Sequence, residues 1–578
     1  MGFTIPVKKV YTILIIVVAI ITGVYVAIRY GFLRTTDYKP DNSKAKSALD
    51  LRPAIIAKMQ QLVKDGSSGL YRLSVKQVEP HLLSSTLQII NASIGPDTTA
   101  IKQLDRLQQL PDDIFKISFA TLQLEGINID DFLSTDKLSL SKISISKPVI
   151  EVYHQKRNYN KAGDSLTLYQ KLFGSFKTIA VSTIEVTDGT FISHNISKGK
   201  HNRVDHVALT MNDVLIDSTT QYDKTRKLFA KKLQLTVNNY TARSPDSLYS
   251  IKFGSINISG VEDKLTALNV EIHPTLSKQQ FQKQFTTRKE IFNISMPSIS
   301  LTGIDWWLLF NEGALTANEA LMENSRCSVY LNRSLPFRKV KQNNFPHQVL
   351  MEIPVPISIL KLKMLNAQLN YTEFNPGMER TGNIIIDKLS GEMTNITNMP
   401  DRIRQNKIMT IHSQGLFMKK IPLTVGFQFN LAKYKTGDFS MNLEVRNIDS
   451  SILNPMTVPL AEFMIKKGNI QKGIAHVTGN NLKTHGKGEL LYTDLYLVAI
   501  KKDENKPGNV GKKSVLSFLA NTVLIKNNNP SKDEAPRRVD FDFTREPKLS
   551  FFTLVWKTIF IGILKTIGLP ESFADKSY

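Results

Sequence analysis

The chain has 578 residues, 74 Lys and Arg against 51 Asp and Glu, a formal net charge of +23, and a hydrophobic share of 42%. That share supports a large core and excludes a disordered chain, and the length admits roughly two to five domains of ordinary size. The single cysteine, Cys327, excludes an intramolecular disulfide and any multi-cysteine metal site.

From the N-terminus, Val10 to Ile28 is an uncharged apolar run, with Val10, Ile15, Ile20 and Ile28 along it. A helix of about 20 residues at about 1.5 Å rise spans the roughly 30 Å hydrocarbon layer, so the run reads as a membrane anchor. It is longer than the apolar region of a cleaved signal peptide, and Tyr25 and Val26 stand where a small-residue cleavage site would be wanted. A short inside tail with a large exported domain is the expected topology. Residues 35–46 read as a polar linker, and Leu51 to Lys64 carries Ile55, Ile56, Met59, Leu62 and Val63 at helical spacing.

From Tyr71 the period changes to two, as in Leu138-Ser-Leu140, Ile143-Ser-Ile145, Leu233-Gln-Leu235 and Phe427-Gln-Phe429. Such alternation predicts strands with one dry face and one wet face. Two stretches share one pattern: Phe115, Ile117, Leu122, Leu124, Gly126 and Ile127 fall without a gap on Phe292, Ile294, Ile299, Leu301, Gly303 and Ile304. Downstream, Ile184 to Phe191 resembles Leu362 to Leu369, and Val204 to Val214 resembles Ile386 to Ile396. The offset stays near about 180 residues, the mark of a tandem structural repeat.

Short helices are expected over Leu166–Phe173, Leu276–Lys289 and Asp305–Glu312; the last, with Trp306 and Trp307, follows Gly303 as Asn128–Leu133 follows Gly126. The tryptophans read as core anchors of that corner. Eight Asn-x-Ser/Thr triplets, including Asn91, Asn239 and Asn395, read as wet-face composition. Lys501 to Lys513 reads as a flexible loop. In the tail, Phe551, Trp556, Phe560 and Leu564 line an apolar segment that Lys557 and Lys565 interrupt. Two lysines deep in a bilayer would cost about 2.5–3.5 kcal/mol each, so this helix is expected to lie at an interface or cap the sheet rather than span.

No pattern proposes chemistry. His194, His201 and His206 lack Cys or paired carboxylates at ligand spacing, and Gly508 to Ser514 lacks the glycine spacing of a phosphate loop. Neither a G-x-S-x-G elbow nor H-E-x-x-H occurs. No enzyme activity and no cofactor are expected. Lysine pairs such as Lys231-Lys232 and Lys419-Lys420 are dispersed, which reads as a solvated surface, then as attraction to anionic lipid, and not as nucleic-acid binding.

Three phrases carry a family resemblance: Lys142-Ile-Ser-Ile-Ser-Lys-Pro148 to Tyr153, Ile357 to Tyr371, and Gly486-Lys-Gly488 through Tyr492, Asp494 and Leu495. Together with the anchor and the repeats, the chain resembles the AsmA-like family of envelope proteins. The resemblance implies an inner-membrane, single-pass anchor with the bulk of the chain in the periplasm, membrane phospholipid and envelope proteins as partners, and a role in lipid transfer or outer-membrane biogenesis. It also implies a long, twisted, groove-like sheet; about 30 strands would extend on the order of 150 Å.

The expected fold is mainly β: the anchor, then an elongated, twisted antiparallel sheet built of tandem repeats, a few short helices and a C-terminal amphipathic helix. Its divisions are 1–34 (tail and anchor), 35–70 (linker and helix), 71–291 (first module), 292–500 (second module) and 501–578 (loops and final helix). The residues expected to line an apolar lipid groove are Ile117, Leu122, Leu124, Leu140, Ile143, Ile145, Leu233, Leu235, Ile294, Ile299, Leu301, Leu362 and Met364. The alternative is a membrane-anchored scaffold in which the same residues close a conventional core, because alternation says which face is dry and not what dries it.

Overall fold

A computed structural model describes residues 52–67, 69–81, 84–126, 137–160, 178–244, 246–337, 344–502, 510–512, 525–546 and 549–571. The expected anchor, the 35–46 linker, and the segments Asn128–Leu133 and Leu166–Phe173 lie outside the described residues.

The described part opens with α1 (Arg52–Gly66), then β1 (Tyr71–His81), β2 (Thr86–Pro96), α2 (Thr98–Arg106), β3 (Asp113–Glu125), β4 (Lys137–Ser146), β5 (Val149–His154), β6 (Thr178–Asn195), β7 (Lys200–Ile216) and β8 (Ala230–Arg243). Next come β9 (Tyr249–Ser259), β10 (Lys264–Pro274), α3 (Lys278–Lys283), β11 (Ile291–Thr302), α4 (Trp306–Glu312), β12 (Leu315–Glu323), β13 (Arg326–Asn332), α5 (Pro346–Met351), β14 (Ile357–Asn375) and β15 (Arg380–Thr397). The last part holds α6 (Pro400–Gln405), β16 (Ile408–Phe417), β17 (Ile421–Asn430), β18 (Phe439–Asp449), α7 (Asn454–Ala461), β19 (Phe463–Gly479), β20 (Lys483–Lys502), β21 (Val510–Lys512), β22 (Arg538–Thr544) and α8 (Phe551–Ile567).

Of these strands, 21 form one sheet, while β21 pairs with β20 in a separate short ladder. Neighbours in sequence are neighbours in the sheet, with two exceptions that make it mixed rather than antiparallel throughout. β4 and β5 lie end to end in one rank, antiparallel to β3 and parallel to β6. β12 and β13 do the same between β11 and β14. A chain that leaves β5 or β13 at one end of the sheet and re-enters at the other must cross over, and a crossover returns a parallel strand. At about 4.8 Å per rank the sheet extends on the order of 90 Å, shorter than the 30-strand expectation because the described residues hold fewer strands and four of them share two ranks.

The duplication is structural and starts before the matched sequence does. Tyr71 and Tyr249 open β1 and β9, and their hydroxyls accept from the backbone N–H groups of Phe115 (3.1 Å) and Phe292 (3.3 Å). Burial pushes the Tyr71 phenol up to about 12 and raises that of Tyr249. The unit β1–β7 is repeated as β9–β15, strand for strand. Even its irregularities recur: the register shift between Val186 and Gly189 in β6 returns between Met364 and Ala367 in β14. Gly126 and Gly303 have φ of +65° and +66°, and a Cβ on either would overlap its matched neighbour, Ser141 or Asn318. That is why each copy leaves the sheet at glycine.

Left-handed residues also recur in pairs: Ser85 and Asp263, Lys147 and Asn324, Asp188 and Asn366, His206 and Lys388, Asp213 and Asn395. Asn91, Asn269 and Asn447 form a triple, so the β17–β18–α7–β19 segment repeats the opening of the unit a third time. Registers place Asn91, Lys147, Asp188, Asn269, Asn324 and Asn366 along one line across the sheet. A residue out of β conformation reverses the pleat and bends its strand. A line of them is a crease, and the side-chain parity changes across it: Ile117 and Phe119 are buried on one side, Leu122 and Leu124 on the other. Asn and Asp tolerate this conformation best after glycine. Asn91 and Asn239, read above as composition, therefore lie on the crease, whereas Asn395 is left-handed but stands away from that line.

The ends of the apolar face are filled differently. In the first unit, Ile89, Leu122, Ile143, Val181 and Met211 belong to one buried cluster that also takes Met59 of α1. At the far end α8 lies in the face, with Ser550 accepting from the Thr553 N–H at its start and Gly568, at φ +83°, closing it. Phe551, Leu554, Phe560, Leu564 and Ile567 are buried there. At about 1.5–3 kcal/mol per large side chain, that burial is worth on the order of 10 kcal/mol, enough to hold the helix on the sheet. The C-terminal helix thus caps the sheet, and of the four residues expected on it only Trp556 is partly exposed.

Candidate functional site

Residues directly opposed in a ladder share a face. Following the registers, one unbroken apolar row crosses the whole sheet. It begins Val78, Ile89, Leu122, Ile145, Val186 and Leu209. It continues through Leu235, Ile258, Leu265, Leu301, Ala320 and Leu362. It then runs through Met393, Ile411, Phe427, Met441 and Val477 to Gly486, where Phe541 of β22 takes the space. A second row lies across the crease in each unit: Leu73, Ile94, Ile117, Ile150 and Phe191 in the first, Ile251, Ile272, Ile294, Cys327 and Leu369 in the second.

The expected groove residues all belong to this face, but not in one environment. Ile117, Leu122, Leu124, Leu140, Ile143, Ile145 and Leu233 are buried in the cluster of the first unit. Leu235, Ile294, Ile299, Leu301, Leu362 and Met364 are only partly buried. Sequence reading missed Ile256, Ala267, Met322, Met393 and Cys327, which the registers bring onto the same surface. Burial raises the pKa of the Cys327 thiol, in keeping with its place on the apolar side.

The two units can be compared position by position. Where the first has Ile89, Leu140, Ile143 and Leu209, the second has Ala267, Ala317, Ala320 and Gly391. Where the first has Ile145, Val186 and Met211, the second has Met322, Met364 and Met393. Small residues remove volume from the face, and methionine, unbranched and polarizable, adapts to varied neighbours. Ile256, Ile299, Met322 and Met364 remain partly exposed, whereas their first-unit counterparts Val78, Leu122, Ile145 and Val186 are 1–7% exposed. The middle of the sheet therefore presents an apolar trough, bounded on one side by a packed core and on the other by α8. Part of this face is covered by α4: Asp305 caps the helix, and Trp306 is buried beside Ile304 and Ala317 with Leu265 and Leu301 against them.

The outer face is different. Lys361 pairs with Glu392 at 3.2 Å and Lys363 with Glu319 at 2.7 Å, so charged cross-strand pairs keep that side in water. Among the described residues no group of His, Cys, Asp and Glu could hold a metal ion, and no helix is long and apolar enough to cross a membrane. His194 stacks on Tyr153 at 4.5 Å and faces His201 across the ladder, while His206 lies 2.9 Å from Asp188.

The Gly486 to Leu495 phrase has a local physical account. Gly486 and Gly488 leave room for the Phe541 ring. The Tyr492 hydroxyl, on a fully buried ring, donates to the Lys526 carbonyl at 2.8 Å and accepts from Arg537 at 3.1 Å. Asp494 is left-handed, and its N–H donates to the Asn528 side chain. The phrase seats α8 and the strand β22 on the end of the sheet.

No protein-family model matches the sequence, and a search of curated proteins finds no relative.

Proposed function

We propose that the chain is a membrane-tethered, AsmA-like lipid carrier whose second unit holds acyl chains in its apolar trough, moving phospholipid between envelope membranes without a catalytic step. The observation that supports this most is the paired comparison of the units: one backbone plan, filled with Ile and Leu in the first copy, and relieved to Ala, Gly and Met in the second. An apolar surface left partly open along several strands needs something apolar to cover it. Acyl chains fit a one-sided sheet because the wet outer face and the strand ends leave headgroups in water. The apolar run Val10 to Ile28 would tether the trough beside a source of lipid. The scaffold reading draws its support from the first unit, where the face is closed by its own side chains.

Restoring first-unit bulk tests the reading. Ala267→Ile and Ala320→Ile copy Ile89 and Ile143 into the trough. Both alanines are buried, so the double variant is expected to fold at a cost of about 1–3 kcal/mol per site at most, while the phospholipid that copurifies with the full chain, measured by mass spectrometry, falls severalfold. Unchanged lipid in a folded double variant would count against the trough as the lipid site.

A further inference from the structure

The two units also differ in the segment that closes the far end of each trough. In both, the chain leaves the second strand through a matched backbone bond: the Asp97 N–H donates to the Leu70 carbonyl and the Thr275 N–H to the Leu248 carbonyl, each at 2.8 Å. A short helix follows, α2 or α3, and the chain re-enters at β3 or β11. The fold asks the same of both caps, so a difference that the first cap does without is not a requirement of folding.

The difference is charge. Cap one, 97–113, holds Asp97, Asp105, Asp112 and Asp113 against Lys102 and Arg106. Its acids are engaged: Asp97 with Arg72, Asp105 with Arg157 at 3.7 Å, Asp113 with His154 at 2.8 Å, and Asp112 with the Asn160 amide at 2.8 Å. Cap two, 275–290, holds Lys278, Lys283, Arg288 and Lys289 against Glu290 alone. Three of its cations lie over rings: Lys278 over Tyr330 at 4.4 Å, Lys289 over Phe285 at 4.4 Å and Arg288 over Phe337 at 3.9 Å. Lys289 also lies 3.7 Å from Asp246. Lys278 and Lys283 are exposed and have no carboxylate within ion-pair distance among the described residues. Beneath them, Phe281 is fully buried in a cluster that includes Ile272, a member of the second trough row. The basic cap therefore stands on the rim of the open trough, and the acidic cap stands at the matching place on the first unit, whose face is closed.

We infer that the 275–290 cap is the headgroup site of the trough: Lys278 and Lys283 recognise the phosphate of an anionic lipid whose acyl chain lies on the second unit. The inference rests on the trough reading and adds a selectivity to it. Each basic residue near an anionic lipid surface contributes about 1 kcal/mol, so the preference should be measurable and salt-dependent.

The test incubates the full-length protein in detergent with phosphatidylglycerol or with phosphatidylcholine and measures bound lipid by native mass spectrometry. The Lys278→Glu/Lys283→Glu variant gives this cap a charge nearer that of cap one, and Lys102→Glu/Arg106→Glu in α2 controls for net charge. The expected result is a loss of at least about tenfold in phosphatidylglycerol binding for the α3 variant, with phosphatidylcholine and the α2 control unchanged. Equal binding of both lipids by the unaltered protein, or equal losses in both variants, overturns the inference and leaves the trough standing. Inorganic phosphate competing as well as the lipid marks a free-anion site and also overturns it. Failure of the unaltered protein to bind either lipid overturns the trough reading and this inference together.

Discussion

Leu122 in β3 and Ile299 in β11 occupy the same place in two copies of one unit, yet Leu122 is 1% exposed and Ile299 is partly open. Both stand in strands that start beside a tyrosine-bonded phenylalanine and end at a left-handed glycine. The backbone does not distinguish them; what differs is the bulk of the neighbours. Leu122 faces Ile89 and Ile145, while Ile299 faces Ala267 and Met322. A side chain surrounded by smaller and softer partners leaves space on the face, and that space is the basis of the proposed function.

The seat of α8 depends on two glycines that share one ring. A Cβ at Gly486 would overlap the Phe541 ring, and one at Gly562 would lie 2.6 Å from it. Gly486→Ala should therefore destabilise the C-terminal end by about 1–3 kcal/mol through overpacking. Adding Phe541→Leu should recover part of the loss. A chemical-denaturation double-mutant cycle reads the coupling, and strictly additive effects would show that the ring does not share that space.

At the crease, Asn269 has φ +50° and its side chain borders Gly254. Asn269→Gly keeps the left-handed backbone available and should shift stability by less than about 0.5 kcal/mol. Asn269→Val, β-branched and unsuited to positive φ, should cost about 1–2 kcal/mol or more. Equal effects from the two substitutions, measured by denaturation, would contradict the crease.

His347 is fully buried against Phe345 and Phe429, and neither ring nitrogen has a hydrogen-bond partner. Burial lowers its pKa from 6.5 to about 4. The unfolded chain thus takes up this proton at higher pH than the folded one. Above about pH 6.5 the group makes stability no function of pH; below it stability declines, reaching a loss of about 3 kcal/mol once the pH has fallen through about 4. His347→Phe should flatten this component of a stability-versus-pH curve between those values. An unchanged slope would show that the imidazole is already solvated in the folded chain.

Much of the architecture was legible in the sequence because period-two alternation reports a one-sided sheet directly, and because Phe115 to Ile127 and Phe292 to Ile304 kept their spacing. The repetition of the first two strands of each unit was not, since positions such as Ile89 and Ala267 share a place in the sheet without sharing a residue type. Parallel pairing at β6 and β14 is set by where the preceding connection enters the sheet, which alternation does not record. The crease was written in part as Asn91 and Asn239, but an asparagine on a wet face and an asparagine at positive φ look alike in a string. The contrast between the two halves of the apolar face came from burial, which depends on neighbours that sequence alone does not pair.

The most direct measurement places a photo-crosslinking amino acid at Ile299 and, in a separate protein, at its counterpart Leu122, each in the full-length chain incubated with phospholipid vesicles. The account predicts phospholipid adducts at position 299 and none at position 122. Protein-only crosslinks at both positions, or equal lipid capture at both, would contradict it.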